Sequence, residues 1–222
     1  MGAIDADAHV IETVQTWSYL ENDERRYTPQ LMTQTFGEKL LSNEGIAVPE
    51  FWVIENRAFG KDRNVGTDTS KESREMLSVQ ARLAHMDELG IETQVLYPTL
   101  FLRPVLQDAE RERALCKSYN RWMGELWRQG HGRLRWVAKP PLRLLEKTPA
   151  AVRQELEWSK KTAPAASSCA AWNASGRSAL RISTRFGKWR PNSIFPSAFI
   201  RPTAALFIMT SSPRILALLN SN

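Results

Sequence analysis

Residues 162–222 contain no Asp and no Glu, whereas residues 1–161 hold all 24 of the acidic side chains. At the density of the first part, roughly nine acids would be expected in those last 61 residues, so composition alone divides the chain in two. The absence excludes reading the overall charge as one property of one surface. Seven of the 30 basic residues (Arg177, Arg181, Arg185, Lys188, Arg190, Arg201 and Arg214) lie in the acid-free part, leaving 23 basic against 24 acidic residues before it, a net of −1. The pI near 9.5 therefore belongs to residues 162–222 alone. The basic character that would attract nucleic acid or an anionic membrane surface is confined there.

Cysteine is nearly missing as well. Cys116 and Cys169 are too few for a disulfide scaffold, and neither belongs to a Cys-x-x-Cys spacing, which excludes a zinc-finger or dithiol-redox reading and fits a reducing cytoplasm. No run of 18 apolar residues exists to span a membrane, and the opening Met1-Gly2-Ala3-Ile4-Asp5 lacks the basic flank and apolar stretch of a signal peptide. The expectation is a soluble, unexported protein. Its 222 residues are enough to bury one sizeable core.

What is present before residue 162 alternates short apolar runs with longer helical patterns, the signature of βα units around a parallel sheet. Three strands are predicted, over residues 4–8, 93–97 (stopped by Pro98) and 134–138 (stopped by Pro140 and Pro141). Asp108 is placed to cap a helix through Ala114, Leu115, Tyr119, Trp122, Met123 and Leu126, whose spacing is helical. A helix over 73–89 should end at Gly90, which tolerates the left-handed conformation, and another should run over 148–160 with Pro149 in its first turn. Residues 17–69 show no sustained periodicity and read as an irregular excursion, with room for short helices or a hairpin.

The chemical signal lies in the first strand, Ile4-Asp5-Ala6-Asp7-Ala8-His9-Val10-Ile11-Glu12. Side chains two apart on a strand share a face, so Asp7 and His9 can offer a carboxylate oxygen and an imidazole nitrogen to one divalent cation. The spacing alone equally allows Asp7 to cap a turn and His9 to be an ordinary satisfied polar residue.

Three separated segments give the signal a context: the first strand itself; Arg82-Leu83-Ala84-His85-Met86-Asp87-Glu88-Leu89-Gly90-Ile91-Glu92-Thr93-Gln94-Val95-Leu96-Tyr97-Pro98-Thr99; and Tyr119-Asn120-Arg121-Trp122 followed by Gly132-Arg133-Leu134-Arg135-Trp136-Val137-Ala138. Together they resemble the amidohydrolase-related family that includes aminocarboxymuconate semialdehyde decarboxylase and the resorcylate-type decarboxylases. The resemblance implies an α/β fold, the N-terminal half of a TIM-type (β/α)8 barrel. It also implies a metal, usually zinc, held by the first-strand pair, a later His and an Asp near the last strand. Asp7 and His9 match the first pair, and Glu12 is near enough to support them, although a solvated loop carboxylate is its simpler reading. The reaction implied is hydrolysis or non-oxidative decarboxylation of a small carboxylated or cyclic substrate, the full-length parent being a candidate homo-oligomer.

The later ligands are not found. His85 falls within a helix and His131 between a helix end and a strand, on the face of a barrel that serves stability, and no acid follows Glu157. Codon arithmetic offers an explanation. Read one nucleotide earlier, Phe199-Ile200 must encode His or Tyr and Met209-Thr210 must encode Asp, and permissible codons around them yield a Leu-Pro-Ile-Cys-Phe-His-Ser segment similar to the fifth strand of the family. The expectation is therefore two parts: residues 1–161 as the barrel portion, and 162–222 as an out-of-frame, poorly ordered tail that leaves the enzyme truncated and inactive as written. Two alternatives compete: a basic tail that binds nucleic acid through Arg181, Arg185, Lys188 and Arg190 near Phe186 and Trp189, or a non-functional fragment.

Overall fold

A computed structural model of the chain describes residues 2–33, 50–61, 69–102, 105–145, 147–162 and 166–167. The expectations for the acid-free tail lie outside the described residues, apart from Thr162 and one two-residue strand. The described part is α/β. Strands β1 (Ala3–Val10), β5 (Ile91–Pro98), β6 (Leu134–Ala138) and β7 (Ala166–Ser167) form one sheet in the order β1-β5-β6-β7, and each neighbouring pair is parallel. Helices α2 (Val79–Glu88), α3 (Ala109–Gln129) and α4 (Pro149–Lys161) make the crossovers. A sheet whose spatial order follows chain order without reversal is built as βα barrels are, rather than doubly wound sheets. Closure of a barrel is not seen among the described residues.

Helix α3 forms where its caps and stripe dictate. Asp108 accepts a hydrogen bond from the Arg111 amide, Glu110 and Glu112 stand in the first turn, Arg128 in the last, and Gly130 follows. Its buried stripe (Ala114, Leu115, Ser118, Tyr119, Trp122, Met123, Leu126) packs on the sheet, where Leu96 and Trp136 are fully buried.

The single helix predicted over 73–89 is instead two pieces, α1 (Lys71–Arg74) and α2. Met76 sits at φ 53° between them, and Ser78 caps α2 by accepting from the Ala81 amide. A serine that satisfies a helix start competes with helix continuation at the same place. The Arg74 carbonyl freed by the break accepts the Ile11 amide, tying the break to the chain beyond β1.

The excursion between β1 and α1 is more ordered than its sequence implies. It contains a three-stranded antiparallel sheet of β2 (Gln30–Thr33), β3 (Glu50–Ile54) and β4 (Arg57–Gly60). The β3–β4 hairpin turns on Glu55 and Asn56, both at positive φ (51° and 58°), as a two-residue turn of the primed type requires. Trp52 of β3 buries completely and meets Trp17 edge-on at 5.8 Å, and Trp17 meets Phe101, which meets Tyr119. This aromatic chain fastens the excursion over the carboxyl ends of β1 and β5. Lys61, with 4% of its side chain exposed, bridges Glu50 and Glu75 at 2.7 and 3.0 Å and pins the same sheet to the α1–α2 break.

Candidate active site at the end of the first strand

The geometry of β1 depends on an extra residue. Asp5 pairs with Gln94 and Ala8 with Leu96, so three steps on β1 match two on β5, and the pleat slips by one between them. Before the bulge, Asp5 lies on the helix side, where the Gln94 amide donates to its carboxylate at 2.9 Å and Arg82 of α2 donates to Gln94 at 2.7 Å. After it, Ala8 and Val10 take the helix side and are buried, while His9 turns to the open face beside Tyr97, ring centroids 6.1 Å apart. Asp7 is exposed, and its charge acts on both His9 and Tyr97.

His9 is held from behind. Its backbone carbonyl accepts from the Arg82 guanidinium at 3.2 Å, and that guanidinium also reaches Ser73, so one buried side chain fixes β1, β5 and the α1–α2 break together. The Nδ1 atom of His9 is buried and has no hydrogen-bond partner among the described residues. Burial lowers the imidazole pKa, and the carboxylates of Asp7 and Asp5, with a weaker contribution from the Pro98 backbone, oppose that shift. A neutral imidazole with an uncommitted nitrogen is the form that coordinates a cation. The Tyr97 phenol is raised by burial and then by Asp7, which keeps it a hydrogen-bond donor.

Glu12 corrects an expectation. It is not a solvated loop carboxylate: it is fully buried, one oxygen accepting the Leu100 amide at 2.9 Å and the other without a partner. The chain beyond β1 passes beneath the turn at Leu100–Leu102, which shuts water out. Burial pushes the carboxyl up to about 7, against the pull of surrounding backbone amides. Tyr119 of α3, also fully buried, is raised by burial and by the charge of Glu12. Lys139, just past β6, is 7% exposed and donates to the Phe101 carbonyl at 2.9 Å, and Asn120 of α3 bonds both the amide and the carbonyl of Lys139. The Asn-x-Trp stretch of α3 thus braces the carboxyl end of β6.

His85 lies on α2, and His131 is exposed in the turn before β6 at φ 49°. Among the described residues no three His, Cys, Asp or Glu side chains gather as a cation site, and no helix is long and apolar enough to cross a membrane. The chemistry of the Asp7–His9 donor pair suits a divalent cation, but it supplies only part of a coordination shell. Sequence reasoning gave Tyr97, Arg82 and Gln94 no role, because each acts through strand register rather than through a motif of its own.

No family model and no curated protein matches the chain. Among solved structures, an amidohydrolase of Mycobacterium avium subsp. paratuberculosis K-10 is similar with a TM-score of 0.51 at 17% identity, covering 73% of this chain and 47% of that one. The described sheet and helices thus share part of an amidohydrolase fold, and the chain spans about half the length of the structure it matches.

Proposed function

We propose that this chain is built on the machinery of metal-dependent amidohydrolases, with Asp7 and His9 as two ligands of a divalent cation, zinc being the usual one. The reaction is hydrolysis or non-oxidative decarboxylation of a small carboxylated or cyclic substrate. The observation that carries the reading is the bulge, which turns His9 with its unpartnered buried nitrogen to the open face beside Asp7 and Tyr97. When bound, the cation supplies Lewis acidity to a substrate oxygen or lowers the pKa of water. The protein's part is positional. Arg82 holds the His9 backbone, Asp7 sets the charge beside the imidazole, and Tyr97 keeps a phenolic proton to donate to an oxygen on the same face.

Two donors do not hold zinc tightly, so the described residues by themselves amount to an incomplete and inactive site. The test is the zinc content of the full chain after EDTA-free purification. Zinc carried by the chain and lost in both Asp7→Asn and His9→Gln supports the reading and requires donors from residues outside the described set. Zinc retained at the same level by both variants overturns it, as does failure of the parent chain to take up zinc from a weakly buffered solution.

A further inference from the structure

The open face carries one more polar group that the Asp7–His9 pair does not account for. Arg135 stands in the middle of β6, in register with Val95 of β5, which in turn lies alongside the bulge that carries Asp7. Its strand neighbours define its direction. Leu134 is buried and would collide with any side chain at Gly130, and Trp136 is buried and donates to the Thr162 carbonyl at the end of α4, so both face the helices. Alternation turns Arg135 to the opposite side, the side of Tyr97 and His9. It is half-buried, and its guanidinium has no partner among the described residues.

Three other half-buried or buried arginines around this sheet are engaged, whereas Arg74 of α1 is a second one whose buried Nε has no partner among the described residues. Arg82 is bonded to Gln94 and His9, Arg121 to Glu155 through two nitrogens, and Arg133 to Asp87 and the carbonyls of Ile91 and Glu92. An unengaged guanidinium on a partly desolvated face offers a planar fork of donors that matches a carboxylate, and the lowered dielectric strengthens the pairing.

We propose that Arg135 is the anion-recognising residue of the open face and takes the carboxylate of a small cyclic or aromatic acid lying across β5 towards Asp7 and His9. Two strand spacings separate β1 from β6, about 10 Å, which a six-membered ring with one carboxylate spans once the side chains at either end are counted. Val95, in register with Arg135, lies between them on β5, and Tyr97, two residues further along the same face and level with His9, can donate to a substituent at the far side of the ring. The inference rests on the reading of the open face as the reacting surface, and it names the residue that selects an acid there.

The test uses the full chain with benzoate as the probe. Phenylglyoxal should label Arg135, read by peptide mass mapping, and benzoate should protect it while chloride at equal ionic strength does not. Arg135→Lys and Arg135→Gln should weaken benzoate binding by about tenfold, the scale of one charge-assisted pair, with the melting temperature unchanged. Labelling that benzoate leaves unaltered, an Arg135 that is unreactive in the free chain, or an Arg135→Gln chain that binds benzoate as tightly as the parent would each overturn the proposal. The two readings fail separately. His9→Gln should lose zinc and keep benzoate protection, and Arg135→Gln should lose benzoate and keep zinc, so zinc failure alone strikes the metal and protection failure alone strikes the arginine.

Discussion

The two faces of the β1-β5-β6 sheet come from the same strands and treat polar groups in opposite ways. On the helix side one connected set of polar side chains is paired, Asp5 with Gln94, Gln94 with Arg82, Arg82 with the carbonyls of His9 and Ser73, although the buried hydroxyls of Tyr119 and Ser73 have no partner among the described residues. The rest of that side is fully buried hydrocarbon and indole, Val10, Leu96 and Trp136. On the open side Asp7, His9, Tyr97 and Arg135 stand within three strands of one another, and the His9 Nδ1 and the Arg135 guanidinium have no partner among the described residues. Unsatisfied polar groups cost stability. The paired set ties β1, β5 and α2 together, and the open-face groups stand separate from it.

That separation can be broken most severely from the helix side. Trp136→Ala empties a completely buried site between β6 and the helices and should cost about 3–5 kcal/mol, read as a fall in the denaturant midpoint. An unchanged midpoint would show that the helix face is not the source of stability.

Glu12, at the seam between the faces, should come next. Its folded pKa of about 7 lies above the ordinary value of 4.5, so between those values the folded state binds more protons than the unfolded state. Stability should therefore fall as pH rises from about 4.5 to 7, by on the order of 3 kcal/mol, and stay at the lower level above that. The Glu12→Gln chain should lack this decline, so that its advantage over the parent is larger at pH 8 than at pH 4. Parallel curves for the two chains would place the Glu12 carboxyl in contact with water.

The smallest effect should come from the open side. Asp7→Asn removes an exposed carboxylate that no residue of the core uses and should move stability by no more than about 0.5 kcal/mol, even where cation binding is lost. A large destabilisation would mean that Asp7 belongs to the fold rather than to the chemistry.

Much of the organisation of residues 1–161 was legible in the sequence, because local rules act there without competition. The second and third predicted strands fall within β5 and on β6, α3 begins at the Asp108 cap, and α4 opens on Pro149. What was not legible depended on contacts between distant residues. The break before Ser78 is stabilised by Ile11, more than sixty positions away, and a propensity window does not register it. The hairpin at Glu55-Asn56 has no glycine to advertise its positive φ values. Glu12 looks solvated until the turn at Leu100 closes over it. The carboxylate and imidazole of the candidate site were visible as a spacing, but which face each occupies was not, since a bulge leaves no mark in an alternating Asp-Ala-Asp-Ala-His run. The acid-free tail, whose composition prompted the out-of-frame reading, lies outside the described residues except for Thr162 and the strand at Ala166–Ser167.

The bulge in β1 also sets the denticity of the strand. In a regular strand Asp5, Asp7 and His9 would all project to one side, and the segment would be a three-donor chelate able to capture a cation without help. The inserted residue rotates Asp5 out of that set and assigns it to Gln94, leaving a two-donor chelate. In the proposed cation site such a strand would grip weakly and exchange readily, so both the choice of metal and the tightness of its hold would pass to whichever residues complete the shell.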